Sequence, residues 1–186
     1  MVAAEQATVT TSVPLAFTDK LLRLAAAPQA ALAFFTGESS FTEPTAVWRV
    51  RGAEATRWCP QPPDDGIVPS LVESQVRYPS LDGTEIGLFL IHRDDVEPSP
   101  ATPTVLNGYG GFAISESPAW VPNLAAWCAE GGVWTIAGLR GGYEHGERWH
   151  QAGRRDTKQT VFDDFHAAGD WLVAQGIGSM SLNPDT

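Results

Sequence analysis

Short apolar runs separated by turn residues occupy the first half of the sequence, a pattern typical of β-strands. Residues 31–36 and 45–50 flank a region with glycine and proline and predict a hairpin-like unit. Residues 73–79 and 86–92 flank a turn at 80–84 that contains Asp-Gly, a strong signal for a tight hairpin. We therefore expect two antiparallel units, the second at the edge of a larger sheet.

The second half of the sequence alternates between strand and helix patterns. Residues 104–106 form a short apolar run and residues 133–137 a near-continuous one, as expected for buried parallel strands. Between them, residues 119–130 carry apolar side chains at helical spacing, with Pro122 in the first turn, where proline is tolerated. The apolar face of this helix would contain Trp120, Leu124, Trp127 and Cys128.

A longer helix is predicted from Thr160 onward. The Thr160 hydroxyl can cap its first turn, and Asp163 and Asp164 would lie near the positive end of the helix dipole. Strand, helix, strand and helix at this spacing predict an α/β fold with parallel crossovers. The core face of the long helix would hold Val161, Phe162, Phe165, Ala168, Trp171 and Leu172.

The composition of the 186 residues is that of a protein with a packed core, since 43% are apolar and 18% are charged. The net charge of −10 disfavours nucleic acid and anionic membranes as partners, because both need a basic surface. Cys59 and Cys128 form neither a CxxC pair nor a disulfide framework, which suits a reducing compartment. With no signal-peptide pattern and no apolar run of about eighteen residues, we expect a cytoplasmic protein.

Three glycines surround a tyrosine directly after the strand at 104–106, in the run NGYGGF at 107–112. Glycine lets a backbone approach a ligand closely. The run also fits the dinucleotide-binding pattern G-x-G-x-x-A, but Ser-Glu-Ser-Pro at 115–118 interrupts the helix that such a site requires. A dinucleotide site is therefore not expected.

A second unusual run, LRGGYEHGERWH at 139–150, precedes a helix that opens with VFDDF at 161–165. With the glycine loop, these motifs occur in the order and spacing of the prolyl oligopeptidase family of serine peptidases, which the chain resembles closely over 78–176 and more weakly over 36–58. The resemblance implies an α/β-hydrolase domain preceded by a β-propeller. It also implies a full-length monomer that hydrolyses short peptides after proline through a Ser-His-Asp triad, without a cofactor.

The resemblance implies parts of two domains. Residues 1–69 would hold the C-terminal remnant of the propeller, with residues 39–45 in its last blade and a proline-rich linker at 60–66. Residues 70–186 would form the N-terminal half of the α/β-hydrolase domain. An ordinary β-hairpin is the alternative for the first strands.

Tyr109 and Phe112 are the candidate site residues that the resemblance supplies. In the family, a tyrosine at the position of Tyr109 donates its phenolic hydrogen to the oxyanion, beside a backbone N–H next to the nucleophile. Phe112 matches an aromatic residue that lines the pocket for the proline before the scissile bond. Without the resemblance, Tyr109 could be a packing aromatic on a turn and Phe112 a core residue. Asn107 departs from a tyrosine that related sequences often carry.

The charged residues of the second run indicate a polar network. We expect Arg140, Glu144 and His150 to fix this loop through salt bridges and hydrogen bonds and to have no catalytic role. Tyr143 stands where the family has a third glycine, which leaves the loop conformation open. His145 and His150 lack the spacing of a helical metal-binding pair, and the glycines argue against a helix here, so no metal site is expected.

The 186 residues contain no G-x-S-x-G nucleophile elbow. The nearest pattern, at 37–41, lacks the last glycine. We therefore expect a fragment that stops before the catalytic serine and before the family's aspartate and histidine, and that is inactive by itself. Halving a parallel sheet would also leave the strand around Trp134 with an open apolar edge, which favours aggregation.

Other functions stay open at this stage. The same scaffold serves oligopeptidases that cut after basic residues, acylaminoacyl peptidases and esterases. A truncated reading frame could also encode a non-catalytic binding protein. Preference of the full-length protein for Arg or Lys over Pro would favour the first of these alternatives.

Overall fold

The computed structural model describes residues 34–44, 46–51, 54–58 and 69–178, which form two β-sheets and several helices. The first sheet is antiparallel with the order β1-β2-β3. Its strands are β1 Phe34–Glu38, β2 Ala46–Arg51 and β3 Glu54–Arg57. β1 and β2 form the predicted hairpin-like unit and β3 extends it, whereas the predicted linker at 60–66 lies outside the described residues.

The second sheet has the order β4-β5-β7-β6. Its strands are β4 Leu71–Pro79, β5 Glu85–Arg93, β6 Thr104–Gly108 and β7 Val133–Ala137. β4 and β5 form the predicted hairpin, and Gly83 takes a φ of +81° in its turn, a value that favours glycine. β6 and β7 are parallel, as the alternating pattern predicts.

The strand around Trp134 is not at the edge of the sheet, so that prediction is wrong. β7 pairs antiparallel with β5 on one side and parallel with β6 on the other. Within the described residues, the edges of this sheet are β4 and β6. An apolar run identifies a buried strand but not its neighbours, because a strand from a distant part of the sequence can insert beside it.

Two helices cover opposite faces of the second sheet. The helical elements are α1 Pro122–Ala129, α2 Glu147–Ala152, a 3₁₀ turn Arg155–Thr157 and α3 Gln159–Ala174. α1 has proline in its first turn, as predicted, and packs through Leu124 and Cys128 against Ile91 and Ile136. α3 covers the other face of the sheet.

No helix among the described residues is both long and apolar enough to cross a membrane.

The start of α3 departs from the sequence prediction. Lys158 stands at the N-cap position and its side chain makes no capping hydrogen bond, so Thr160 is not the cap. Asp163 and Asp164 lie beyond the first turn, and Asp164 is buried in the core. Phe162 is 51% exposed although its spacing predicts a core position. A helical pattern marks an apolar face, but it does not show which positions at its border are covered.

A short helix forms where the glycines argued against one. α2 follows Gly146, whose φ of +81° turns the chain into the helix, and it contains His150. Gly146 does not destabilise this helix, because it lies before the first turn. Its unusual backbone conformation redirects the chain there and is not part of the helix.

A buried ion pair ties α3 to the residues after β7 and to the β4–β5 turn. The Asp164 carboxylate is fully buried and accepts from the Arg140 guanidinium at 2.6 Å, the Arg140 backbone N–H at 3.1 Å and the Ser80 hydroxyl at 2.6 Å. The Tyr78 hydroxyl donates to the backbone carbonyl of Asp164 at 2.8 Å. The guanidinium also contacts Asp82 in the hairpin turn at 2.5 Å. Both buried charges are thus paired and hydrogen-bonded, as burial of ions requires.

The pairing changes the proton affinities of this cluster. Hydrogen bonds from Arg140 hold the pKa of Asp82 well below its usual range. Hydrogen bonds to Asp164 and Asp82 raise the pKa of Arg140, although its burial opposes the shift. Burial, followed by the charge of Asp164, raises the pKa of Tyr78, which therefore keeps its proton and remains a donor.

Replacing Asp164 by Asn is expected to lower the free energy of unfolding by about 3–5 kcal/mol, because it leaves a buried guanidinium without its main counter-charge. The matched variant Asp163→Asn changes the neighbouring carboxylate, which bonds the exposed side chain of Gln159, and should cost less than about 0.5 kcal/mol. Urea unfolding followed by circular dichroism measures both. Equal losses for the two variants would contradict the central role of the buried pair.

Asp82 is expected to make stability depend on pH in the acid range. Its folded pKa lies below the unfolded value of about 3.9, so it stabilises the fold above that pH and loses this contribution as the pH falls toward the folded pKa. The side chain is 54% exposed, which limits the effect to under about 1 kcal/mol. The urea midpoint of Asp82→Asn should therefore lie below that of the wild type at pH 7 and approach it below about pH 4. A difference independent of pH would show that Asp82 does not act through its charge.

Candidate active site

The glycine loop begins where β6 ends. Gly108 is the last residue of β6, and residues 109–112 follow it. Because β6 and β7 are parallel, their C-terminal ends meet at the same edge of the sheet, which places this loop beside residues 138–142 after β7. Ligand sites of α/β folds lie at this edge of the sheet.

The two loops touch through their backbones, which requires glycine at Gly110 and Gly141. A Cβ atom on Gly110 would lie 2.4 Å from a methyl carbon of Val161 and 2.9 Å from the Arg140 carbonyl oxygen. A Cβ atom on Gly141 would lie 2.5 Å from the Gly110 carbonyl oxygen. Both glycines also have positive φ values, +57° and +93°, that side chains rarely adopt. The position of the glycine loop therefore depends on the position of residues 140 and 141.

A reversal of the chain brings the two predicted site residues together. Phe112 and Ala113 have φ values of 50° and 55°, a strained conformation for residues with a side chain. The rings of Tyr109 and Phe112 lie 6.4 Å apart between centroids and 25° from parallel. Tyr109 is 47% exposed and Phe112 is 84% exposed. Neither ring belongs to the core, and both are open to a ligand.

Three groups hold the backbone of the glycine loop. The Lys158 ammonium donates to the Gly110 carbonyl at 2.8 Å. The Ala113 backbone N–H donates to the Gly141 carbonyl at 3.3 Å. The Nδ1 atom of His150 lies 3.2 Å from the Ala113 nitrogen and 2.8 Å from the Gly141 carbonyl oxygen. With its proton on Nε2, the ring accepts at Nδ1 from the Ala113 N–H; with its proton on Nδ1, it donates to the Gly141 carbonyl.

The second run forms the polar network that its charges indicate. Arg140 makes the buried ion pair, and His150 contacts the backbone of both loops. The Glu144 carboxylate accepts from the Glu116 backbone N–H at 2.9 Å, and its other oxygen is buried with no hydrogen-bond partner among the described residues. Burial, followed by the charge of Glu144, raises the pKa of the Glu116 side chain.

The two histidines of this run have different environments. His145 packs edge-on against Trp149 with 4.6 Å between ring centroids, whereas His150 contacts the loop backbone. Among the residues that the structure describes, no group of three or more His, Cys, Asp or Glu side chains could hold a metal ion.

A cavity of about 270 Å³ lies beside the loop at 115–118. Its lining includes Arg77, Glu116 and Glu144, but neither Tyr109 nor Phe112. The predicted site residues are exposed and do not line this cavity.

Sequence reasoning missed two residues that shape the site. Lys158 contacts the glycine loop, and Ser80 completes the hydrogen bonding of Asp164. A cation at the start of a helix is unfavourable, because the N-terminal end of the helix dipole is also positive. This mismatch is the signal in the sequence that could have identified Lys158. Ser80 carries no comparable signal, because serine is common in turns.

Three comparisons relate the chain to known proteins. Residues 119–181 match the family model described as prolyl oligopeptidase family. The chain is 41% identical over 108 residues to a prolyl endopeptidase of Elizabethkingia miricola, a match that covers 58% of the chain and 15% of the relative. The structure of prolyl oligopeptidase B from Galerina marginata, bound to a 25mer macrocyclization substrate, superposes with a TM-score of 0.70 and 31% identity over 79% of this chain and 21% of that one. Oligopeptidase B from Leishmania major superposes with a TM-score of 0.68 and 26% identity over 78% of this chain and 21% of that one.

These matches span only part of each relative, between 15% and 21% of its length. Within that part, the residues that the family model matches include the run at 139–150, and the glycine loop lies before them. By these matches, the segment at 119–181 belongs to the prolyl oligopeptidase family, and the chain is similar to that family in sequence and in structure.

Proposed function

We propose that this chain is the oxyanion-binding part of a prolyl oligopeptidase-like serine peptidase that hydrolyses short peptides after proline. The observation that carries the proposal is the placement of Tyr109. Its half-exposed ring stands on a backbone-packed glycine loop at the C-terminal end of a parallel strand. A phenol in this position is a hydrogen-bond donor on a support that does not need to reorganise.

The reaction needs such a donor when the tetrahedral intermediate forms. A serine hydroxyl attacks the peptide carbonyl, a histidine takes its proton, and the carbonyl oxygen becomes negatively charged. The phenolic O–H of Tyr109 would donate to that oxygen, together with a backbone N–H beside the nucleophile. A donor already held in place lowers the barrier because no group has to move as the charge develops.

The neighbouring phenylalanine supports the preference for proline. Phe112 presents a flat apolar ring next to Tyr109, and its 84% exposure leaves the ring open to a substrate. A pyrrolidine ring can pack on such a face. The Galerina marginata relative, whose structure holds a 25mer peptide, supports peptides as the substrate class.

The same proposal covers the domain arrangement. β1–β3 would belong to the end of a β-propeller, and residues 70–186 would form the first half of an α/β-hydrolase domain of a cytoplasmic, monomeric enzyme. Because these 186 residues contain no G-x-S-x-G elbow, they would not hydrolyse peptides alone and would need a nucleophile supplied by further sequence.

Tyr109→Phe in a complete peptidase that carries this segment should lower kcat by about 100-fold to 1,000-fold, because it removes one oxyanion donor. KM should change little, since the hydrogen bond forms with the developing charge. Steady-state kinetics on a chromogenic proline-containing peptide measure both constants.

Tyr143→Phe is the matched control, because Tyr143 is 45% exposed and also loses one phenolic hydroxyl. Its kcat should stay within about twofold of the wild type. Equal kcat values for Tyr109→Phe and wild type would exclude the oxyanion role.

Phe112→Ala should raise KM for proline-containing substrates by about tenfold, which corresponds to the loss of an aromatic contact worth roughly 1 to 1.5 kcal/mol. Substrates with alanine before the scissile bond should be affected less. The rival substrate class is peptides cut after Arg or Lys, which other oligopeptidases on the same scaffold cleave. If the wild-type enzyme prefers Arg or Lys to Pro, the assigned specificity is wrong.

A further inference from the structure

Lys158 lies at a position in α3 that is electrostatically unfavourable for a positive charge. It occupies the N-cap of α3, at the positive end of the helix dipole. The Lys158 side chain makes no capping hydrogen bond there. The ammonium instead reaches 48 residues back in the sequence and donates to the Gly110 carbonyl at 2.8 Å. A residue that is unfavourable for its own helix and makes a specific contact elsewhere is a candidate for a functional role.

The contact acts on the peptide group between Gly110 and Gly111, one peptide group beyond the one that follows Tyr109. On one side, the Gly110 carbonyl oxygen packs against Gly141, where a Cβ atom would lie 2.5 Å from it. The Lys158 ammonium donates to the same oxygen. This peptide group lies between Tyr109 and Phe112 in the chain, and the two rings lie 6.4 Å apart between centroids. A contact that fixes it therefore restricts the backbone that carries both rings.

Both the ammonium and the phenol end of Tyr109 lie near Gly111. A Cβ atom built on Gly111 would lie 3.9 Å from the ring carbon that carries the hydroxyl and 4.0 Å from the Lys158 nitrogen. The same ammonium lies 5.9 Å above the ring of Phe162, which gives this exposed aromatic residue a partner. The lysine side chain thus reaches from the N-cap of α3 to the glycine loop.

We propose that Lys158 is a positioning residue for the oxyanion tyrosine: its ammonium holds the Gly110 carbonyl and thereby fixes the direction of the Tyr109 phenol. This inference rests on the proposed peptidase function and adds a residue to its machinery. Lys158 does not touch the reacting atoms, and its effect passes through Tyr109.

The test uses a complete peptidase that carries this segment, with the variants Lys158→Met, Lys158→Arg, Tyr109→Phe and the double variant Lys158→Met with Tyr109→Phe. Lys158→Met keeps the aliphatic stem and removes the donor, so kcat should fall by about 10-fold to 100-fold, as expected for a displaced catalytic group, with KM within about twofold. Lys158→Arg keeps a donor and should recover part of kcat. Arg148→Met removes an exposed cation of α2 and should leave both constants within about twofold of wild type.

The double variant separates positioning from a general structural effect. If Lys158 acts through Tyr109, it should be only slightly slower than Tyr109→Phe alone, because the two losses are not independent. Multiplication of the two single losses would overturn the proposal, as would a kcat of Lys158→Met equal to that of Arg148→Met.

Hydrogen exchange gives a readout that does not need activity. The Ala113 and Ile114 amides bond within the two loops, to Gly141 and Gly111, and they should exchange about tenfold faster in Lys158→Met than in Arg148→Met. A wild-type enzyme that cleaves neither proline-containing nor arginine-containing peptides would overturn the proposed function. Unchanged exchange in Lys158→Met would overturn the positioning role, whether or not the wild type is active.

Discussion

The geometry of the candidate site depends on one close approach, that of the Gly110 backbone to residues 140 and 141. No side chain fits between these loops, so their separation is set by backbone contact. Arg140 is held in turn by its ion pair with the fully buried Asp164, which α3 carries into the core. A surface loop with a candidate catalytic residue is thereby attached to the most buried charge pair described in the chain.

This arrangement gives the backbone that carries the exposed Tyr109 a defined position. Exposed side chains are usually mobile, and a mobile donor would have to be ordered when the oxyanion forms. Here the order is already present in the backbone, through the contacts of Gly110 with Gly141 and Lys158 and the strained turn at Phe112. A strained backbone conformation, such as that of Phe112, persists only where the surrounding structure holds it in place. The ion pair between Arg140 and Asp164 anchors the residues against which this loop packs.

The sequence predicted local features well because local rules govern them. The Asp-Gly turn between β4 and β5, the proline at the start of α1 and the parallel pair β6 and β7 all follow from turn chemistry or apolar runs. The roles of Tyr109 and Phe112 came from family resemblance, and they remain predictions. The structure adds that the rings are exposed and lie together.

What the sequence could not show depends on contacts between distant residues. The insertion of β7 between β5 and β6 was missed because periodicity does not order strands. Asp164 fits the start of a helix as well as the core, and only its pairing with Arg140 distinguishes the two. A crystal structure of a complete enzyme carrying this segment, with a peptide aldehyde forming a tetrahedral adduct, tests the central claim most directly. The account predicts that the Tyr109 hydroxyl lies about 2.7–3.1 Å from the adduct oxygen. A hydroxyl more than about 4 Å away, with another group donating in its place, would contradict it.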